Sequence, residues 1–396
     1  MKKIAIVSYD GMPLPPVKGG AIENLIQFLV EDNEAEKKAE LTVFSVDDPI
    51  ARKVAENYQN TQFVYIPKPG KIAAVTEFTN RVFQKLHFGA ASQVYPYLIE
   101  VVKRINQENF DYVLVENSAE YVPYLKRKVS AEILLHVHND HLCKTYYLAD
   151  EVLRSCKKVF AVSDYVKNRI LTIDPEAEHV SVLRNVIDVE RFSGTSEEAR
   201  DQLRRQYHIQ PDDVVFAYFG RITPGKGVRE LVQAFLQVSQ KHDHAKLLVV
   251  GAKWFGTDKE SPFTKELKAL SGQVEDKIIF TGYVDYQRIA QQYACADVVV
   301  VPSIMGEACG LVVLEAMASG KALIVSDSGG IPENISPEYA IEVPRGEQFV
   351  QGLAEAMDAL AADKNRVVAM GNRGREQAGQ FDKMLYLGKL LQILDA

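Results

Sequence analysis

Short apolar runs recur along the chain, each closed by glycine, proline or a polar cluster and followed by a segment with helical spacing. In the first half the runs are 3–8, 41–46, 62–66, 112–115, 133–137, 159–162 and 180–183. In the second half they are 214–219, 246–250, 277–281, 297–301, 322–326 and a short 341–343, with helices predicted over 227–240, 286–294 and 311–319. Strands that are apolar on both faces and alternate with helices predict parallel sheets covered on both sides, with ligands at the carboxyl ends of the strands. The segment 186–194 and the charged 196–205 read as a crossing between two such halves. Met384, Leu385, Leu387, Leu390, Leu391 and Leu394 mark an amphipathic last helix. The expected architecture is α/β, with two doubly wound, Rossmann-like domains facing across a cleft. Residues 1–190 form the first domain, 191–379 the second, and 380–396 cross back onto the first.

Composition narrows the function. With 396 residues the chain is long enough for two domains, and 47% hydrophobic with 25% charged residues is ordinary for a globular protein. A net charge of -7 argues against non-specific nucleic-acid binding. Cys143, Cys156, Cys295 and Cys309 show neither a C-x-x-C pair nor metal-ligand spacing, and read as reduced cytosolic thiols. The apolar run near the N-terminus is too short for a signal peptide and reads as a first strand. No window holds eighteen consecutive apolar residues. The stretch 71–104 differs from the rest: Lys71, Arg81, Lys85, His87, Lys103 and Arg104 stand among Phe78, Phe83, Leu86, Phe88, Tyr95 and Tyr97. It reads either as a solvated helix face or as a peripheral contact with an anionic membrane surface or a lipid-linked substrate.

The richest chemistry lies in 302–333, PSIMGEACGLVVLEAMASGKALIVSDSGGIPE. A buried strand leads into a loop bracketed by Gly306 and Gly310, and a helix begins just after Gly310. The unpaired N–H groups and positive dipole end of that helix suit a phosphate or another anion. Glu307 stands before this pole, and Glu315 shares a helix face with Leu311, Leu314 and Ala318, a poor place for an unpaired carboxylate. Glu315 in a buried salt bridge and Glu307 as a solvated loop acid is the plain alternative. After the strand 214–219 comes Gly220-Arg221-Ile222-Thr223-Pro224-Gly225-Lys226-Gly227, a glycine-rich turn whose two cations suit a diphosphate. It is not a P-loop, because the G-x4-G-K-[ST] order is absent. Gly19-Gly20 before the first helix is a similar but weaker signal.

Glu307 and Glu315, with seven residues between them and followed by Gly329, Gly330, Ile331, Pro332 and Glu333, resemble the E-x7-E signature of retaining glycosyltransferases, in particular family 4 (glycosyl transferases group 1). Gly220 to Gly227 resembles that family's G-R-x-x-x-x-K-G element. Arg184-Asn185-Val186-Ile187-Asp188 resembles its N-G-V-D segment, with Val186 in place of the usual glycine. The resemblance implies a GT-B fold and transfer of a sugar from a UDP-, GDP- or dTDP-sugar to an acceptor hydroxyl with retention. It implies that Arg221 and Lys226 clamp the pyrophosphate, helped by the helix start at Ala308, Cys309, Gly310 and Leu311. By the same resemblance Glu307 holds sugar hydroxyls, Glu315 the ribose, and the backbone of Tyr283 and Val284 the base. Gly20 and His138 would close the site from the other domain. Gly19, Asn139 and Asn185 are candidate acceptor contacts. Two cations and a helix dipole can neutralise the diphosphate and no D-x-D follows a strand, so neither a cofactor nor a metal is expected.

His136-Val137-His138-Asn139-Asp140-His141 also fits a metal-ligand pattern, and a zinc hydrolase using His136, His138, Asp140 and His141 is one competing reading. His136 is expected on the opposite side of the strand from His138, as a core residue, and Asp164 is expected to cap a helix. A dinucleotide oxidoreductase lacks its G-x-G-x-x-G. A membrane-associated, non-catalytic binding protein would make 71–104 the functional surface. The preferred setting is synthesis of a polysaccharide, glycolipid or glycoprotein in the cytoplasm, at the inner face of the plasma membrane. The acceptor would be a sugar, lipid-linked or glycoprotein hydroxyl.

Overall fold

A computed structural model describes residues 1–68, 76, 79, 95–253, 260–272 and 274–396. The chain divides into two compact units, Met1–Val186 with Lys383–Ala396, and Ile187–Asp382. Residues 71–75, 77–78 and 80–94 of the basic, aromatic stretch lie outside the described residues. Among the described residues no helix is long and apolar enough to cross a membrane.

Unit 1 holds β1 (Lys3–Val7), β2 (Glu40–Val46), β3 (Thr61–Ile66), β4 (Tyr112–Glu116), β5 (Glu132–Val137), β6 (Lys158–Ala161) and β7 (Val180–Val182). They form a parallel sheet in the order β3-β2-β1-β4-β5-β6-β7. Ile4, Ile6, Val43, Leu114 and Leu134 are buried on one side of it, against Leu25 and Leu29 of the helix Ala21–Ala35. The last helix, Tyr386–Asp395, adds Tyr386, Leu387 and Leu390 to the same core. Its first turn is pinned to the 21–35 helix, because the backbone N–H of Leu387 donates to Asp32 at 2.8 Å. A terminal segment thus joins the first domain through apolar packing and one buried acceptor.

Unit 2 holds β8 (Val214–Phe219), β9 (Ala245–Val250), β10 (Ile278–Gly282), β11 (Val298–Val301), β12 (Ala322–Ser326) and β13 (Ala340–Val343). Its parallel order is β10-β9-β8-β11-β12-β13. Two cores flank the sheet, one around Phe216, Phe235 and Val300 and the other around Phe219, Tyr293 and Leu314. Both faces being covered explains why β11 reads as four consecutive valines.

In each sheet the strand order reverses once, between β1 and β4 and between β8 and β11. At such a reversal the loops after the two neighbouring strands run to opposite sides and leave a crevice at their carboxyl ends. In unit 2 Lys226 and Glu307 follow β8 and β11; in unit 1 Gly19 and Gly20 follow β1, whereas His138 follows β5, the strand next to β4.

Candidate donor and sugar sites

In unit 2 the turn after β8 and the loop after β11 are built into each other. The backbone N–H groups of Ile304 and Met305 both donate to the carbonyl of Gly225 at 3.1 Å. Gly227 has a φ of 70°, and a Cβ there would lie 1.7 Å from the carbonyl oxygen of Pro302, so only glycine allows this approach. From the other side the N–H of Gly330 donates to the carbonyl of Glu307 at 2.8 Å, and Gly329, at φ 56°, would carry a Cβ only 2.1 Å from that same oxygen. The hydroxyl of Ser326 donates to Ser303 O at 2.7 Å, and Arg345 donates to Ile304 O at 3.1 Å while pairing with Asp327 at 2.7 Å. The Asn334 amide donates to Cys309 O at 3.0 Å. Glu307 is therefore presented by a loop tied to three neighbouring segments.

The Glu307 carboxylate accepts from the Lys226 ammonium and from the Ser303 hydroxyl, the latter at 2.6 Å. Arg221 is exposed, and no side-chain partner for it occurs among the described residues. The helix Leu311–Ala318 starts at Gly310, whose φ is 77°, and no side chain caps its first N–H groups. Cys309 is buried behind this start, while Ala308 and Leu311 are half-buried. Glu315 is 8% exposed and accepts a 2.6 Å hydrogen bond from the hydroxyl of Tyr293. The Tyr293 ring in turn lies flat on Phe219, with centroids 3.7 Å apart. Burial pushes the Glu315 carboxyl up, against the Tyr293 hydrogen bond and the more distant Arg191. The plain alternative for the two acids is thus reversed: Glu307 is in the ion pair and Glu315 is held by a phenol.

A pocket of about 210 Å³ opens at the carboxyl ends of β8, β9 and β10, lined by Ile222, Gly251, Lys253, Phe280, Gly282 and Tyr283. Tyr283 faces this space, whereas Val284 packs against the core beside it. Ile222 places the pocket next to Arg221. One unit therefore carries a cavity, two cations, a helix N-terminus and two acids, with Lys226 and Glu307 in contact.

In unit 1, Gly19 and Gly20 take φ values of 76° and 111°, and Gly20 opens the 21–35 helix after β1. Glu116 closes β4 and is 2% exposed. Its Oε2 accepts from His138 Nε2 at 2.7 Å and lies 3.1 Å from His136 Nδ1. The two imidazoles are 4.1 Å apart. His136 is thus on the same side as His138, contrary to the expected opposite side, because residues two apart along a strand share a face. It is fully buried, as a core residue should be. Asn117, at φ 59°, accepts through Oδ1 from the N–H of His138 at 2.9 Å and from the Asn139 amide at 3.0 Å.

Asp140 and His141 do not join His136 and His138 in one cluster. Asp140 accepts from the Tyr165 hydroxyl at 2.9 Å, and His141 is exposed. Glu116, His136 and His138 bring three donor atoms within 4.8 Å of one another, and the closest contact, Glu116 to His138 at 2.7 Å, has hydrogen-bond geometry. Asn185 is buried rather than presented. The helix expected to be capped by Asp164 is capped instead by Ser163, whose hydroxyl accepts from Val166 N at 3.1 Å, while Asp164 pairs with Arg184 at 2.8 Å. Glu116, Asn117, Ser303 and Tyr293 belong to no motif in the sequence. Glu116 alone carried a signal, an acid closing a strand that is apolar on both faces.

Residues 199–377 match the family described as glycosyl transferases group 1. The chain is 27% identical to the putative glycosyltransferase YtcC of Bacillus subtilis, over 98% of this chain and 90% of that protein. It is 31% identical to a GDP-mannose-dependent alpha-(1-6)-phosphatidylinositol monomannoside mannosyltransferase of Mycobacterium tuberculosis, over 54% and 55% of the two chains. The crystal structure of Anabaena Alr3699/HepE in complex with UDP and glucose superposes with a TM-score of 0.76 at 20% identity, covering 99% of both chains. Residues 199–377 are thus similar to the glycosyl transferases group 1, and the two units have the architecture of a GT-B fold.

Proposed function

We propose that the protein is a retaining, metal-independent glycosyltransferase whose unit 2 binds a nucleotide diphosphate sugar. The observation that carries this reading is the meeting of Lys226, Glu307 and the 311–318 helix start at one strand-order reversal. Lys226, Arg221 and the free N–H groups of that helix supply positive charge where a leaving diphosphate gains negative charge. The pocket beside Tyr283 suits a base, and Glu315, held by Tyr293, suits ribose hydroxyls. Glu307 then takes hydroxyls of the sugar. In unit 1, His138 and Gly20 stand at the carboxyl end of the sheet, where a sugar hydroxyl would be held.

In the proposed reaction the bond from the anomeric carbon to the diphosphate oxygen breaks, and the acceptor oxygen forms its bond on the same face. The acceptor proton passes to the departing diphosphate oxygen. No metal is needed, because the two cations and the helix start carry the charge compensation. The relatives' names, one GDP-mannose-dependent and one solved with UDP and glucose, support a nucleotide diphosphate donor and a role in glycolipid or polysaccharide synthesis. A cytoplasmic enzyme acting at the inner face of the plasma membrane fits that role.

The test is proton NMR of the full chain with UDP-glucose or GDP-mannose and candidate sugar acceptors, in the presence of EDTA. A product with the donor's anomeric configuration, formed at an undiminished rate in EDTA, is expected. An inverted product, or turnover lost in EDTA and restored by a divalent cation, contradicts the reading.

A further inference from the structure

The buried cluster at the mouth of unit 1 has one feature that sugar binding alone does not explain. Glu116 is enclosed at the end of β4, its Oε2 faces two imidazoles, and His138 Nδ1 is sealed from solvent with no hydrogen-bond partner. A buried carboxylate is costly unless something holds it charged. Burial works to raise the Glu116 carboxyl, but His136 and His138 beside it hold it down. Burial, reinforced by His136, lowers His138 against the pull of Glu116. The 2.7 Å contact then joins a carboxylate to an imidazole through one ring proton.

An ionised carboxylate can only accept, so the proton between the two groups sits on His138 Nε2. The other nitrogen, Nδ1, then carries a lone pair. His136 Nδ1 lies 3.1 Å from the same oxygen but is too poorly aligned to compete for it. The backbone is fixed as firmly as the ring, since Asn117, in a left-handed conformation, accepts from His138 N at 2.9 Å and its own N–H donates to His136 O at 2.8 Å.

We propose that Glu116 is a positioning residue that locks His138 in its Nε2–H tautomer, leaving at Nδ1 a buried, unpartnered lone pair that a ligand hydroxyl satisfies when it displaces the groups covering it. The proposal rests on the sugar-holding role given above to His138. It also sets the ligand class at this position: a neutral hydroxyl can donate to the lone pair, whereas a phosphate oxygen would meet a lone pair backed by an anion.

The test is a long-range proton–nitrogen NMR spectrum of the full chain at pH 7, with the His138 signals assigned by their loss in His138→Asn. The wild-type protein is expected to show a neutral Nε2–H ring. In Glu116→Gln the amide can donate to Nε2 and turn the ring to its Nδ1–H form, and Glu116→Asp should restore Nε2–H. A wild-type ring that is Nδ1–H or charged overturns the proposal without any variant having to fold. An unchanged tautomer in a folded Glu116→Leu protein, whose side chain offers Nε2 no acceptor, overturns it as well. One equivalent of zinc in the purified protein would also overturn it, by making the three residues ligands.

With UDP-glucose or GDP-mannose as donor, Glu116→Gln should lower kcat about tenfold while KM stays within about twofold, as for one misdirected hydrogen bond. If the tautomer behaves as stated but His138→Asn turns over at the wild-type rate, the sugar-holding role fails while the locking of the ring stands.

Discussion

The Lys226 ammonium is bound to the carboxylate of Glu307, so a cation suited to a diphosphate is engaged by an acid suited to a sugar. The pair spans the strand-order reversal, Lys226 after β8 and Glu307 after β11, and the Ser303 hydroxyl holds the acid from its other side at 2.6 Å. A diphosphate entering this place must compete with Glu307 for Lys226. Removing the acid therefore has opposite effects on binding and on turnover. Glu307→Ala should bind UDP or GDP as tightly as the wild type or more tightly, while turnover falls on the order of a hundredfold through loss of charge-assisted hydrogen bonds to the sugar. Calorimetry and initial rates read the two quantities separately, and a parallel loss of both contradicts the assignment.

Ser303 tests the same relationship more gently. Its hydroxyl is the second donor to Glu307, and Ser303→Ala leaves the Lys226 pair intact. Losing one hydrogen bond of about 1 kcal/mol should lower kcat/KM roughly five- to tenfold. Circular dichroism should show an unchanged fold.

Glu315 predicts a pH dependence. Burial raises its carboxyl in the folded chain, so the folded state binds more protons than the unfolded state above the usual glutamate range. The stability contributed by this group is full at acid pH and is lost as the pH rises through the raised folded value. Glu315→Gln removes the titration, so its melting temperature should gain on that of the wild type as the pH rises from about 4 toward 7. A pH-independent difference contradicts the burial argument. The same variant loses an acceptor for ribose and should bind UDP or GDP more weakly.

Gly329 is where the loop carrying Glu307 touches the turn after β12. Gly329→Ala would meet a carbonyl oxygen at 2.1 Å in a left-handed conformation. It should destabilise unit 2 by at least about 2 kcal/mol, read by thermal denaturation. Gly346→Ala, also at positive φ (141°) but with nothing within 4 Å, isolates the conformational part and should cost less.

Much of this was legible because the strands are buried on both faces. The four valines of β11 and the run Val214–Phe219 allow few readings, and the strands the apolar runs predict all appear, with ends displaced by a residue. The donor motif was legible for a related reason: Gly227, Gly310 and Gly329 are residues the backbone requires, so they stand out beside Lys226 and Glu307. Tyr293 was not, because an aromatic residue on an apolar helix face looks the same whether or not its hydroxyl holds an acid. Glu116 looks like the polar end of the apolar run 112–115, and His136 shares a face with His138, against expectation, because side chains two apart on a strand point the same way. Unit 1 is harder to read for this reason: its site is made by the ends of β4 and β5, with no motif whose spacing announces it.

The central claim is that unit 2 holds a nucleoside diphosphate between Lys226, Arg221 and the start of the 311–318 helix. Titration calorimetry of the full chain with UDP and with GDP, compared with the double variant Arg221→Ala, Lys226→Ala, tests it most directly. Binding of at least one diphosphate, weakened a hundredfold or so in a double variant that melts like the wild type, is the predicted result. Undiminished binding by the double variant, or no binding of either diphosphate by the folded wild-type chain, would contradict it.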